Sequence, residues 1–361
     1  MPIGTILPKA RMKLKKRTAL GLTVLAAFYL AVLFAEFLAP YDYRQQSRQQ
    51  PSAPPSSIRF RDLDGNVHFR PFIYPVRLTD PLSHQYAEVL ERPASLSLFV
   101  RGFPYNLFGV IRTDLHLFGV EGDRSPDAPR IQILGTDNLG RDRFSRLLSA
   151  IRFSLLVSPL GTALACVIGI FIGVISGYAG PKIDAALMGI SDSMMSLPTL
   201  ILILAARAAF PLELPPLSAA SLLIVIFALT GWAEMARLAR GLVWSMRERE
   251  FVLAGKASGL TSMRILFRHI LPNISRPLLT QATLMFPAFL LAEVALSFLG
   301  VGLQEPEASL GNMLTAASDI NQLSDSPAVV LAPAAIIFLF VLGVRLVSDG
   351  LKDPSPGRTS F

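Results

Sequence analysis

The feature that most constrains this chain is a set of long apolar runs without charge. Phe153 to Pro181 contains no charged residue, and neither does Leu214 to Ala233 or Ser326 to Val344. Runs of roughly 18 or more such residues are long enough to cross the hydrocarbon core as helices. Thr18 to Ala35 adds a fourth, closed by Glu36. Two further runs hold an acid in their interior: Ile183 to Phe210 with Asp192, and Pro277 to Leu303 with Glu293. The composition agrees, with 52% hydrophobic and 17% charged residues, where a soluble domain carries about 25% charge. The expected fold is an all-α polytopic membrane protein with six transmembrane helices.

A basic leader precedes the first run, as it does in signal peptides. The run is long for one, and Phe37 to Tyr41 is a poor small-residue cleavage site, so it reads as a retained anchor. The single cysteine, Cys166, lies inside the second run, which leaves no internal disulfide framework. Orientation follows from lysine and arginine. Lys9, Arg11, Lys13, Lys15, Lys16 and Arg17 precede the first run without an acid, which places the N-terminus in the cytoplasm. Six crossings return the C-terminus to that side and put Trp232 to Arg276 there too, with its seven arginines and Lys256. Arg141, Arg143, Arg146 and Arg152 break the pattern, since they fall on the expected external side. The net charge of +8 is largely this topology signal and calls for no nucleic acid.

Between the first two runs, Asp42 to Leu134 is too long for a simple connection. Ile58 to Phe69 alternates around Asp64-Gly65, a hairpin pattern. Leu96 to Val100 and Leu115 to Gly119 read as short strands, and Pro51 to Ser57 as a linker. A small strand-containing external domain is therefore expected between the first and second helices. Its eleven arginines against ten acids present no single-sign field. Asn138 to Ser149 suits either an interfacial amphipathic helix or an extension of the second span. The expected organisation is a basic cytoplasmic tail over 1–17, a first helix over 18–40, and an external domain with interfacial helix over 41–150. A five-helix core follows over 151–350, including a cytoplasmic loop over 235–276, and then a tail over 351–361.

That loop is the most informative stretch. A short helix ends near Gly259, a turn follows at Thr261-Ser262, and a second helix from Met263 to Leu271 is stopped by Pro272. Ala254, Gly255, Ala257 and Ser258 would let another protein approach the backbone closely, with Phe251 and Leu260 as anchors. A docking element and a solvated surface helix both fit this composition.

The loop resembles the coupling loop of binding-protein-dependent ABC importer permeases. Their signature is Glu-Ala-Ala, a glycine, and a distal Leu-Pro, matched here by Ala254, Gly259, Leu271 and Pro272. Leu253 stands in place of the glutamate and Gly255 in place of the second alanine. Other stretches resemble the dipeptide, oligopeptide and nickel branch, and its C-type subunit: Leu134 to Asp142 with Ser145-Arg146, Gly177 to Gly180 with Asp184, Ala292 to Gly300, Gly311 to Leu314, and Asp349 to Asp353. Leu310 stands where that branch usually has tryptophan. The resemblance implies a permease subunit in a bacterial-type inner membrane, with Phe251, Leu253, Ala254, Gly255, Lys256, Gly259, Leu271 and Pro272 forming the ATPase-coupling site. It implies a second homologous permease, two cytoplasmic ATP-binding subunits and an external solute-binding protein as partners. ATP hydrolysis would lie on those partners, so this chain is expected to be no enzyme and to hold no cofactor or metal.

Three other functions compete with this one. Gly135 to Gly140 has phosphate-loop glycine spacing, but Arg141-Asp142 follows where Lys-Ser/Thr is needed, so Asp137, Arg141 and Asp142 are expected to cap a helix and pair charges. An intramembrane hydrolase would need a nucleophile and base at depth, whereas His68, His84, His116 and His269 are expected in loops. An ion-coupled secondary transporter would use Asp192 and Glu293, since intramembrane acids are functional by default.

Overall fold

The computed structural model describes residues 16–62, 65–80, 85–120, 128–178 and 180–352. The expected basic tail before Lys16, the tail from Asp353, His84 and Asp64 of the hairpin turn lie outside these residues. The chain begins with α1 (Lys16–Leu33) and the short α2 (Ala35–Leu38), followed by six strands: β1 (Arg59–Arg61), β2 (Val67–Ile73), β3 (Val76–Asp80), β4 (Gln85–Glu88), β5 (Ala94–Leu107) and β6 (Ile111–Val120). Helices then take over: α3 (Arg143–Tyr178), α4 (Pro181–Met195), α5 (Thr199–Ala208), α6 (Pro216–Met246), α7 (Glu250–Ala257) and α8 (Ser262–Ile265). A π turn over Leu266–Ile270 leads into α9 (Leu271–Phe298), and α10 (Leu310–Leu314), α11 (Ile320–Asp325), α12 (Pro327–Val330) and α13 (Ala332–Lys352) complete the chain.

Among the described residues, five helical runs are long and apolar enough to cross a membrane: α1, α3, α6, the continuous Ser262–Phe298 and α13. The pair α4 and α5 makes a sixth crossing if it is counted as one span, for it bends by 85°. Pro198 sits at that bend; it lacks an N–H and disfavours helical backbone in the residue before it. The structure is thus mostly helical with five or six candidate spans.

Packing centres on α3 and α6, the most extensive helix pair. Gly161, Ala165, Gly169, Gly173 and Gly177 recur every fourth residue along one face of α3. A Cβ on Gly169 would lie 2.5 Å from the Trp232 carbonyl oxygen, and one on Gly173 would lie 2.3 Å from that of Ala236. The two backbones therefore touch. Water supplies no drive for such contact inside a bilayer, so close van der Waals approach through small residues takes its place. On the other side α1 crosses α13, with Gly21 against the Gly343 carbonyl. Phe340 closes that seam through edge contacts with Phe28 and Phe286.

The strand-containing domain is present. β1, β2, β5 and β6 form an antiparallel sheet in the order β1-β2-β5-β6, and β3 pairs with β4. The expected hairpin is β1 with β2, Arg61 opposite Val67. Ile73, Ala94 and Ile131 form its small core, where the Ile131 N–H donates to the Tyr41 hydroxyl at 2.8 Å. The expected linker, Pro51 to Ser57, is instead bonded along the segment that enters α3. The Ser52 N–H donates to the Asp137 carbonyl, and the Ser56 N–H to that of Gln132. Gly135 and Gly140 allow this approach: both have positive φ, and a Cβ on either would meet the carbonyl of Ala53 or Ser47.

Of the two readings of Asn138 to Ser149, the structure has the extension of the second span and not a separate interfacial helix. Residues 143–150 form the first turns of α3, and Arg143, Arg146, Leu147 and Leu148 are buried rather than spread on a surface. Asp142 starts that helix by accepting from the Ser145 N–H at 2.7 Å and its hydroxyl at 2.6 Å. Burial pushes the Asp142 carboxyl up to about 6, against the downward pull of Ser145 and Arg130. Three of the four arginines that broke the charge pattern are ion-paired, and the fourth, Arg143, donates to the Gln322 side-chain carbonyl at 2.8 Å. Arg141 binds Asp137 at 2.7 Å and also Glu305. Arg146 binds Glu305 at 3.0 Å, and Arg152 binds Glu36.

The glycine seam predicts a sharp asymmetry. Gly173→Val should lower stability by about 1–3 kcal/mol or more, as overpacking does, while Gly241→Ala, with nothing within 4 Å of its Cβ position, should not. Thermal unfolding of the purified chain in detergent, followed by size-exclusion, checks both.

Candidate functional site

The loop between α6 and α9 is built as a rigid wedge. Glu250 stands in the first turn of α7 and Lys256 in the last, each favourable to the helix dipole. The Gly259 N–H donates to the Lys256 carbonyl at 3.0 Å, and the Leu260 N–H reaches back to that of Gly255 at 3.1 Å. With Gly259 at φ +76°, this is a Schellman closure, which only glycine adopts without strain. The Thr261 hydroxyl then accepts from the Arg264 N–H and opens α8.

Burial sorts the expected coupling residues into two groups. Val252, Ile265, Ile270 and Ile274 are fully buried and join the main core beside Val243. Gly255 is buried as well, facing Leu260 and Ile265, so it serves the wedge and offers no outer surface. Leu260 and Leu271 are partly buried against the same core, which removes Leu260 as an outward anchor. Phe251, Leu253, Ala254, Lys256, Gly259 and Pro272 remain exposed. Met263 and Phe267, which the sequence reading passed over, add exposed apolar surface. Pro272 does not stop the second helix. The π turn just before it widens the helix, and α9 runs on through the proline.

The wedge is tied to the bundle by charge. Arg240 on α6 holds Asp184 of α4 through two bonds, at 2.9 and 2.5 Å, and Asp184 also accepts from Ser176 of α3 at 2.5 Å. The Trp244 ring lies 4.2 Å from the Arg240 guanidinium. Lys256 of α7 stands 5.9 Å over the ring of Tyr178, at the end of α3.

Above the wedge lies a groove of about 650 Å³ between the α4–α5 bend, α6 and α9. Met194, Met195, Thr230, Met285 and Phe289 line it, together with one carboxylate, Glu234. Glu234 is exposed and accepts from the Gln281 side-chain amide at 2.9 Å. The sequence reading missed it, because Glu234 directly follows the uncharged run that ends at Ala233. A charge on a membrane helix is expensive unless it faces water or a partner, and that was the available signal.

The two acids singled out from sequence are not brought together. Asp192 is exposed and pairs with Arg237 at 2.9 Å. Glu293 is fully buried in α9, where it accepts from Ser154 of α3 at 2.6 Å and Ser297 at 2.9 Å. The Leu303 N–H donates in turn to the Ser297 hydroxyl. His68 and His116 lie on β2 and β6 rather than in loops, and His269 lies in the π turn.

Comparison with known proteins follows from this geometry. The family described as "Binding-protein-dependent transport system inner membrane component" matches residues 169–353, and "N-terminal TM domain of oligopeptide transport permease C" matches residues 10–55. The chain is 40% identical over 220 residues to the dipeptide transport system permease protein DppC of Alkalihalophilus pseudofirmus, covering 61% of this chain and 69% of that protein. It is 35% identical over 219 residues to the oligopeptide transport system permease protein OppC of Bacillus subtilis, covering 61% and 69%. The oligopeptide permease OppC of Mycobacterium bovis is 35% identical over 220 residues, covering 61% and 74%.

Glu293 acts in this geometry as a buried hydrogen-bond hub. Glu293→Gln should therefore leave thermal stability nearly unchanged, because an amide still bonds both hydroxyls. The double change Ser154→Ala with Ser297→Ala, which strips a buried group of its donors, should lower it by about 1–3 kcal/mol. The same detergent unfolding measurement distinguishes the two.

Proposed function

Given that the chain belongs to the family of binding-protein-dependent transport system inner membrane components, we propose that it is a permease subunit of an ATP-driven importer for peptides or similar small solutes, coupled to its ATPases through the loop 247–273. The observation that carries this is the wedge itself: a closed helix–turn–helix whose inner face is continuous with the bundle core and whose exposed face sets Phe251, Leu253, Met263 and Phe267 among charged side chains such as Arg249, Lys256 and Arg264. An outer face of this kind fits a docking contact better than a solvated loop. ATP hydrolysis belongs to partner subunits, and this chain supplies the pathway.

In this reading the complete pathway needs a second, homologous permease, and the groove beside the α4–α5 bend is this chain's half of it. The wedge faces the cytoplasm together with both termini, and the strand-containing domain faces outward, toward a solute-binding protein. Six spans then result, with α4 and α5 as one broken crossing. The coupling contact falls on Phe251, Leu253, Ala254, Lys256, Gly259 and Pro272, while Gly255 and Leu271 hold the wedge in shape. Leu253, in place of the family glutamate, makes that contact apolar where a charge would otherwise pair. ATP-driven motion of the docking face would pass through Val252 and Ile265 to α6 and α9, biasing a two-state bundle.

The α3–α6 seam gives such motion a stiff lever. An ion-coupled mechanism would instead ask Asp192 and Glu293 to share a pathway. Their separate settings favour structural roles for both.

Two measurements test the proposal. Ala254→Trp, at an exposed position, should weaken co-purification of the ATPase subunits about tenfold, or about 1.4 kcal/mol, with the second permease still bound; unchanged recovery would refute the docking face. Glu234→Ala should leave the assembly intact and raise the transport KM for peptides about tenfold, consistent with loss of a charged hydrogen bond worth about 1.5–3 kcal/mol. Uptake into vesicles containing the full assembly reads it.

A further inference from the structure

The β5–β6 hairpin ends in a tip that a water-facing turn would not have. Leu107, Phe108, Val110 and Ile111 surround Gly109 there, and Val110 is 85% exposed. The turn is well formed, with the Gly109 N–H donating to the Asn106 carbonyl at 3.0 Å and the Val110 N–H to that of Leu107 at 3.2 Å. An exposed apolar cluster on a closed turn marks an interaction surface.

The direction of the tip is fixed by aromatic contacts. Phe99 and Phe108 both hold positive φ, at 58° and 55°, a conformation that residues other than glycine adopt only at a steric penalty. Both rings meet aromatic residues just past the end of α1, at Phe34 and in α2. Phe108 lies 5.5 Å from Phe34 in an edge contact, and Phe99 lies 6.3 Å from Phe37. Phe34 directly follows α1, the least buried of the candidate spans. Leu30 and Leu33, in its last turn, are exposed. The hairpin tip thus stands level with the end of a span and beside that span's own bare apolar surface.

We propose that the tip, residues 107–111, inserts into the lipid surface beside α1 and anchors the strand-containing domain to the bilayer. The inference rests on α1 being a membrane span, and on nothing about which solute is moved. Continuity decides for lipid: the bare surface of the tip joins the bare surface of the last turn of α1 through the Phe34–Phe108 contact. Aromatic and aliphatic side chains at the headgroup boundary bind by apolar burial, and neighbouring cations add attraction to anionic headgroups. Arg112, exposed and next to Ile111, can lay its stem on that boundary with the guanidinium in the headgroups. The positive φ of Phe99 and Phe108 then has a purpose, which is to turn two rings toward the membrane helix while the strands run past it.

The test uses the full chain in bilayers of phosphatidylcholine and phosphatidylglycerol, with Cys166→Ala to leave one thiol at a time. Val110→Cys carries a nitroxide at the tip, and Glu91→Cys carries one at the base of the hairpin as an aqueous reference. Collision with oxygen, which concentrates in lipid, is compared with collision with a water-soluble nickel chelate. The expected result is a several-fold higher oxygen-to-nickel ratio at Val110→Cys. A ratio equal to that of Glu91→Cys overturns the proposal, and so does a label shielded from both reagents, which would mean that protein covers the tip. Neither outcome touches the permease assignment, because transport is not read.

Discussion

The rest of the structure depends on the backbone contact between α3 and α6. Four glycines and Ala165 remove side chains from one face of α3, so the carbonyls of Trp232 and Ala236 come within contact distance of its axis. Helices that touch at this depth cannot slide or rotate without losing many small contacts together. Other elements are placed relative to that pair. Asp184 of α4 is held by Arg240 of α6 and Ser176 of α3. Glu293 of α9 is held by Ser154 of α3. The groove opens where α4 and α5 bend away from α6.

The two ends of the bundle solve different problems. At the strand-bearing end, buried Arg141 and Arg146 are met by Asp137 and Glu305, half-buried Arg152 is met by Glu36, and α3 begins at a buried carboxylate already bonded twice by Ser145. Charges that looked misplaced along the chain are there as pairs, and removing one partner would strand the other in a poorly solvated site. At the opposite end, burial of Val252 and Ile265 seats the wedge in the main core, Arg240 ties α6 to α4, and the exposed surface mixes apolar with charged side chains. One end is therefore closed by ion pairs, while the other is closed by apolar burial.

Much of this was legible in the sequence because it rests on local pattern. The uncharged runs marked α1, α3, α6 and α13, and alternation around Gly65 marked the β1–β2 hairpin. Gly259 with Thr261 marked the turn of the wedge. What escaped depends on contacts between distant segments. Nothing local to Pro51–Ser57 says that it bonds along 132–137, and nothing local to Gly255 says that it faces inward. Glu234 escaped for another reason: it ends an apolar run, so it read as a boundary, although α6 continues for twelve residues beyond it. Pro272 misled in the opposite sense, since the wider turn before it lets the helix run on through the proline.

That wider turn has a consequence of phase. In an α-helix each residue advances about 100° around the axis, and a π turn takes up additional chain within an otherwise regular helix. The segment Leu266–Ile270 thus sets the angular origin for all of α9. Shortened by one residue, it would close as an ordinary helix, and every position beyond it would swing by about 100° relative to the wedge. Gln281 would leave Glu234, and Glu293 would leave Ser154. The register of the groove and of the buried hub is therefore written several turns away, at the junction where the wedge enters the bundle.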